Sequence, residues 1–122
     1  MKANSGHFVL NDQTEYKDIA EVFPDVLKLF LEETDQVPED AEIMHMFLHL
    51  NQVELLNNRK PEGYNRKGRM RLIFPMTRME FYIKGSSKSG EVVRVTEKIS
   101  KMLTRSGMEH QVEWNALSCL ES

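Results

Sequence analysis

The most constraining part of this 122-residue chain is the stretch from Leu72 to Ile83, where two dense apolar runs flank a proline. Such a density of apolar and aromatic side chains over so few residues is typical of β-strands. Pro75 has no N–H to donate to a sheet ladder, so it marks a turn, a bulge or an edge position. The stretch therefore predicts two strands joined through residues 75–78, or one long bulged strand.

A loop rich in cations precedes this stretch. Pro61, Gly63 and Gly68 break regular structure between Asn58 and Arg69, which predicts an exposed and mobile loop. Its cations could contact phosphates while a tyrosine stacks on an unpaired base. Together with a lysine from a later segment, the predicted anion-binding or nucleic-acid-binding site comprises Arg59, Lys60, Tyr64, Arg66, Lys67, Arg69, Arg71 and Lys88.

The first half of the chain predicts a short strand followed by helices. The strand covers His7 to Leu10, and apolar residues then recur every three or four positions from Ile19 to Leu31, as on a helix face. Pro24 should kink or split that helix. Residues 39–57 fit either a helix or an alternating strand, and their Ala, Glu, Met, Leu and Gln content favours a helix. A strand there would pair with residues 69–84 and give a ferredoxin-like βαββαβ order.

The second half predicts a loop, a helix and a last strand. The loop covers residues 85–90, and the helix runs from an N-cap at Ser89 to a C-terminal glycine at Gly107. Residues 112–116 alternate as a strand. The predicted fold is therefore α+β, in a single domain over residues 1–122. A small antiparallel or mixed sheet would pack against two to three helices, and the ferredoxin-like order is one arrangement that fits.

Charge is unevenly distributed along the chain. Residues 1–58 hold three lysines against twelve carboxylates, a net charge of −9, whereas residues 59–105 carry a net charge of +9. The two halves could neutralise each other within the fold, or they could form a dipolar surface that attracts a partner. The overall charge of −3 and the pI of 5.8 argue against a dedicated nucleic-acid binder, whose pI usually exceeds ~9.

No catalytic signature is present in the sequence. Gly85 and Gly90 match the glycine frame of a phosphate loop, but Glu91 and Val92 stand where that motif requires Lys and Ser or Thr. Enzymatic activity is therefore the least favoured class, and the sequence predicts no catalytic residue and no cofactor.

The histidines and the single cysteine also predict no site. His45 and His49 share a helix face, but a zinc site needs three or four ligands, so ordinary surface or core-edge histidines are expected. Cys119 and His110 lack any surrounding motif for a nucleophile and its base. No metal is predicted.

The first functional hypothesis is a small non-enzymatic adaptor or inhibitor that binds a protein or a second copy of itself, as a homodimer. The acidic segments 15–35 and 39–54 would face a basic partner or the basic half of a second copy, and methionine-rich faces would add contact area. The alternative is an RNA-binding or single-stranded-DNA-binding module that uses the basic loop 59–71. The absence of a long apolar run, the lack of a signal sequence and the single cysteine predict a cytoplasmic protein with no membrane partner.

Overall fold

A computed structural model describes residues 1–116, and over this range the chain forms four strands and four helices. The strands are β1 (Ala3–Leu10), β2 (Met70–Ile73), β3 (Glu80–Ser89) and β4 (His110–Trp114). The helices are α1 (Tyr16–Ile19), α2 (Phe23–Glu33), α3 (Ala41–Leu56) and α4 (Gly90–Arg105). The predicted α+β class is confirmed.

The strands form one antiparallel sheet in the order β2-β3-β1-β4. β3 lies between β1 and β2 and is antiparallel to both, so β1 and β2 run in the same direction. β1 in turn lies between β3 and β4 and is antiparallel to both, so β3 and β4 also run in the same direction. The version of the fold that placed a strand within residues 39–57 is wrong, because α3 occupies that segment. The strand order alone does not confirm the ferredoxin-like name, which stays a prediction.

The core lies between the sheet and the helices. Alternation along the strands directs Phe8 and Phe81 towards the helix layer, where their ring centroids lie 4.9 Å apart and Phe23 of α2 packs edge-on against Phe81. On the same face, a Cβ placed on Gly6 would lie 2.0 Å from the Thr96 hydroxyl oxygen. The glycine therefore allows α4 to approach β1 closely.

Local sequence signals set the ends of the two amphipathic helices. The Ser89 hydroxyl accepts a hydrogen bond from the Val92 N–H at the start of α4, and Gly107 follows the end of that helix with a φ of +80°. Pro24 lies in the first turn of α2, so the predicted split of the helical segment near Phe23 is confirmed.

Three expectations need correction. Residues 85–89 belong to β3 rather than to a loop, because Gly85 pairs with Met70 on one side and Ser89 pairs with Ala3 on the other. The helices number four within the described range, since the single turn α1 is separate. The last strand ends at Trp114 rather than at residue 116.

Pro75 lies between β2 and β3, so the alternative of two strands joined through residues 75–78 is correct. Cys119 lies outside the described residues.

Candidate interaction surface

The outer face of α3 presents a row of apolar side chains to solvent. Ile43, Met46 and Leu50 are 41%, 46% and 55% exposed, and their spacing of three and four residues places them along one side of the helix. Only Asn51 and Leu55 of this helix are fully buried. We call Ile43, Met46 and Leu50 the α3 stripe. Isolated exposed apolar residues are ordinary, and this row of three along one side of a helix is a candidate contact surface.

The inner face of α3 is held by a polar anchor. The Asn51 side-chain amide donates to the Phe47 carbonyl at 2.8 Å and to the Gly63 carbonyl at 3.1 Å, and its oxygen accepts from the Gly63 N–H at 2.7 Å. Gly63 has a φ of +72°, which favours glycine at this position. The centre of the basic loop is thereby fastened to α3, with Pro61 and Gly63 buried and most of the other loop residues exposed.

A groove of about 660 Å³ runs between α3 and this loop. Phe47 and Leu50 form its apolar wall, and Lys60, Tyr64 and Arg66 line the opposite side. The Arg66 guanidinium lies over the Phe47 ring, 5.0 Å from its centroid, in a cation–π contact. Since Leu50 belongs both to the groove and to the α3 stripe, the two features form one continuous surface.

Opposite charges lie at the two ends of this surface. Glu39, Asp40 and Glu42 are exposed at the N-terminal end of α3, where Asp40 accepts a hydrogen bond from the Glu42 N–H as the N-cap. Lys60 is exposed just beyond its C-terminal end, whereas Arg66 lies beside the middle of the helix, over Phe47. The surface is therefore acidic at the N-terminal end of α3, apolar with one cation beside its middle, and followed by Lys60 past its C-terminal end.

Two of the predicted anion-binding cations already have carboxylate partners. Arg59 makes a two-point contact with Glu54 at 3.0 Å for each nitrogen, and this hydrogen bond holds the Glu54 pKa below its ordinary value. Arg69 pairs with Glu91. Residues of the acidic and basic halves also meet at Glu33, whose carboxylate accepts from Arg94 and Lys98. The −9 and +9 segments are therefore neutralised in part within one chain.

The remaining predicted site residues are dispersed. Tyr64 packs between Phe30 and Phe47, with ring centroids 6.0 and 5.5 Å away, and its backbone bridges to Leu72. Lys67 is exposed in the loop, while Lys88 is exposed on β3. The structure thus brings Lys60, Tyr64 and Arg66 together at the groove, and Lys88 belongs to a different element.

The sequence pattern predicted Arg71 as a site residue but not the cation that lies opposite it. Arg71 on β2 lies directly opposite Lys84 on β3, on the face of the sheet that points away from α4. Neither residue has a carboxylate partner among residues 1–116, and Arg71 donates only a long hydrogen bond of 3.3 Å to the Asn65 side chain. Arg71 could be predicted as a site residue from its place at the start of the strand pattern. The position of Lys84 opposite it depends on the register between β2 and β3, which the sequence does not show.

A buried polar network was missed as well. The Ser5 hydroxyl lies 2.7 Å from His7 Nε2, His7 Nδ1 lies 2.9 Å from Glu80, and Glu80 accepts from Arg78, which also donates to Glu113. The two carboxylates hold the Arg78 pKa above its ordinary value. The alternation Ser-x-His and Arg-x-Glu was visible in sequence, because residues two apart share a strand face.

This Ser-His-Glu order resembles the hydrogen-bond order of hydrolytic triads. However, Ser5 has no solvent exposure, so its oxygen is not presented to a substrate. The network instead joins β1, β3 and the β2–β3 connection.

Within the described range, no three His, Cys, Asp or Glu side chains are arranged to hold a metal ion, and no helix is long and apolar enough to cross a bilayer. Comparison with protein-family models, with curated proteins and with solved structures finds no match.

Proposed function

We propose that this protein is a non-enzymatic binding module that associates with a second copy of itself through α3. The observation that carries this proposal is the exposed row formed by Ile43, Met46 and Leu50. Removal of apolar surface from water contributes roughly 25 cal/mol per Å², so a contiguous row of this kind favours association. A second copy is the occupant that the charges favour.

An antiparallel pair of α3 helices brings unlike charges together. A two-fold axis at the centre of the stripe places the acidic end of one copy, with Glu39 and Glu42, near Lys60 at the opposite end of the other. Antiparallel packing also sets opposite ends of the two helix dipoles side by side. A parallel pair would instead place like charges together at both ends.

The contact is small, which sets the expected affinity. A 16-residue helix is about 24 Å long and 10 Å wide, so the footprint of α3 is about 240 Å² per copy, to which the adjoining loop adds. Tight complexes bury about 800 Å² per partner. We therefore expect a dissociation constant on the order of 10 μM.

Sedimentation equilibrium over a range of protein concentrations tests the proposal. The wild-type chain should shift from monomer to dimer, and the double variant Met46→Glu with Leu50→Glu should weaken the dimer by at least about thirtyfold, because it places carboxylates in the apolar contact. Met76→Glu is the matched control, since Met76 is 90% exposed on the connection between β2 and β3.

The control should associate as the wild type does, and all variants should keep the wild-type circular dichroism spectrum. A wild-type chain that stays monomeric at about 200 μM, or a double variant that dimerises normally, contradicts the proposal.

Weak binding of a polyanion is a second candidate function, and the Arg71–Lys84 pair favours it. Like charges directly opposite each other destabilise a sheet, so an anion bound between them would relieve the repulsion. Titration of a labelled single strand at several salt concentrations is the test. About four phosphate contacts would give a slope of roughly −3 in log K against log salt.

Arg71→Ala and Lys84→Ala should each flatten that slope. Arg59→Ala should change it less, because Arg59 is already paired with Glu54. No change of signal at about 50 mM salt removes this candidate.

A further inference from the structure

We propose that Ser100 is a reactive serine that takes an acyl group from an activated ester, with His110 as its general base. This site lies where α4 meets β4, so the proposal does not depend on self-association through α3. The Ser100 hydroxyl oxygen lies 2.6 Å from His110 Nε2, and both residues are half-buried. Unlike the fully buried pair of Ser5 and His7, this pair therefore reaches solvent.

The hydrogen bonds of His110 set the direction in which a proton moves. Nδ1 lies 3.0 Å from the Met108 carbonyl oxygen, which can only accept, so Nδ1 carries the proton of the neutral ring. Nε2 then holds a lone pair, and the Ser100 hydroxyl donates to it. A hydroxyl that donates to a base, with the base oriented by a third group, is the arrangement that activates a serine as a nucleophile.

The Ser100 hydroxyl does not make the contact that a helix usually offers. Thr96 and Ser106 each donate to the carbonyl oxygen four residues earlier, at 2.7 Å. Within residues 1–116, the Ser100 hydroxyl is hydrogen-bonded only to His110. The register of β4 on β1 places His110 opposite Leu10, on the face of the sheet that meets α4. The packing of α4 on the sheet therefore brings the two side chains together.

An open cavity of about 870 Å³ beside the pair indicates the class of ester. His110 lines this cavity together with Thr104, which lies one turn after Ser100 on α4. The exposed carboxylates of Asp12 and Glu109 also line it, and no Lys or Arg among residues 1–116 does. A negatively charged rim repels anions. The acyl donor is therefore a neutral or cationic ester rather than an anionic one.

The chemical step is an acyl transfer. Ser100 Oγ attacks the carbonyl carbon of the ester while His110 Nε2 takes the hydroxyl proton. The tetrahedral intermediate then breaks its bond to the leaving alcohol, which receives that proton from Nε2. The products are an acylated Ser100 and a free alcohol, so the step balances without a further reactant.

Acetylation by p-nitrophenyl acetate, a neutral activated ester, tests the proposal. Mass spectrometry of tryptic fragments follows the reaction at each serine, and Lys101 and Arg105 let trypsin separate Ser100 from Ser106. Ser100 should be acetylated at least about tenfold faster than Ser106, whose hydroxyl donates to a carbonyl oxygen instead of to a base. The anionic p-nitrophenyl succinate should acylate Ser100 more slowly than the acetate does.

Two variants separate the role of His110 from a general loss of structure. His110→Gln should slow acetylation of Ser100 at least about tenfold, and Ser106→Ala should leave it unchanged, with the wild-type circular dichroism spectrum kept in both. Equal acetylation of Ser100 and Ser106 in the wild-type chain overturns the proposal without any variant. Undiminished acetylation of Ser100 in a folded His110→Gln chain overturns the assignment of His110 as the base. Faster reaction with the succinate overturns the ester class.

Discussion

Two helices of equal length use their apolar residues in opposite ways. α3 and α4 each have 16 residues. In α4, the apolar side chains Val92, Val95, Ile99 and Leu103 are all fully buried against the sheet and α2. In α3, apolar side chains surround the helix, and four large ones, Ile43, Met46, Leu50 and Leu56, remain exposed although the inner face is already filled.

This difference separates residues that the fold requires from residues that it does not. Burial of one face explains the sequence of α4, because an amphipathic helix needs one apolar side. The same rule explains Leu55 on α3 but not Ile43, Met46 or Leu50, whose exposure contributes nothing to the folded monomer. Burial does not explain the α3 stripe, which is why we propose that it serves association.

The largest expected effect contrasts the same substitution in the two helices. Ile99→Ala should lower the free energy of unfolding by about 3 kcal/mol, because Ile99 is fully buried and its truncation leaves a cavity. Ile43→Ala on α3 should change it by less than about 0.5 kcal/mol under dilute, monomeric conditions. Urea unfolding measures both. A comparable loss in the two variants would show that α3 uses its outer face within the monomer.

A smaller effect concerns the polar anchor of α3. Asn51→Ala should destabilise the protein by about 2 kcal/mol, because the buried N–H of Gly63 loses its acceptor. Asn57→Ala is the control, since Asn57 is exposed and bonds only within its own helix end. The two variants should differ in midpoint on thermal or urea unfolding. Equal midpoints would mean that the loop does not depend on this anchor.

The smallest effect is an acid response at the contact between α2 and α4. The hydrogen bond from Lys98, together with that from Arg94, holds the Glu33 pKa below its ordinary value of 4.5. The unfolded state therefore takes up this proton first, so the contribution of Glu33 is present above about pH 4.5 and is lost as the pH falls through the lower folded value.

Unfolding experiments between neutral pH and about pH 3 should show a slightly shallower loss of stability for Glu33→Gln than for the wild type. Glu32→Gln should retain the wild-type slope, because Glu32 has no ion pair within residues 1–116. A steeper loss of stability with falling pH in Glu33→Gln than in the wild type would contradict the lowered Glu33 pKa.

Sequence patterns predicted the elements whose signals are local. The stripe and caps of α4, the split at Pro24 and the pairing of short strands around Pro75 all follow from neighbouring residues. The extension of β3 to Ser89 was not predictable in this way, because its polar, glycine-containing sequence is held in the sheet by pairing with β1 and β2.

The candidate surface was predicted only in part. The sequence drew attention to the loop cations, yet Arg59 and Arg69 are paired with carboxylates, one of them on α3 and the other on α4. The α3 stripe was not predicted, because residues 39–57 place apolar side chains on every side of the helix. Which of these sides is exposed depends on the elements that pack against α3. The network of Ser5, His7 and Glu80 and the Arg71–Lys84 pair depend on strand register, which alternation does not give.

The most direct test of the central claim compares the methyl groups of Met46 and Met76 in one sample by NMR, using a neutral gadolinium chelate as a solvent probe. Both side chains are exposed in the monomer. At a protein concentration well above the dissociation constant, the account predicts that the chelate relaxes Met76 strongly and Met46 weakly, and that dilution makes the two alike. Strong relaxation of both methyl groups at high concentration would contradict the claim that a second copy covers α3.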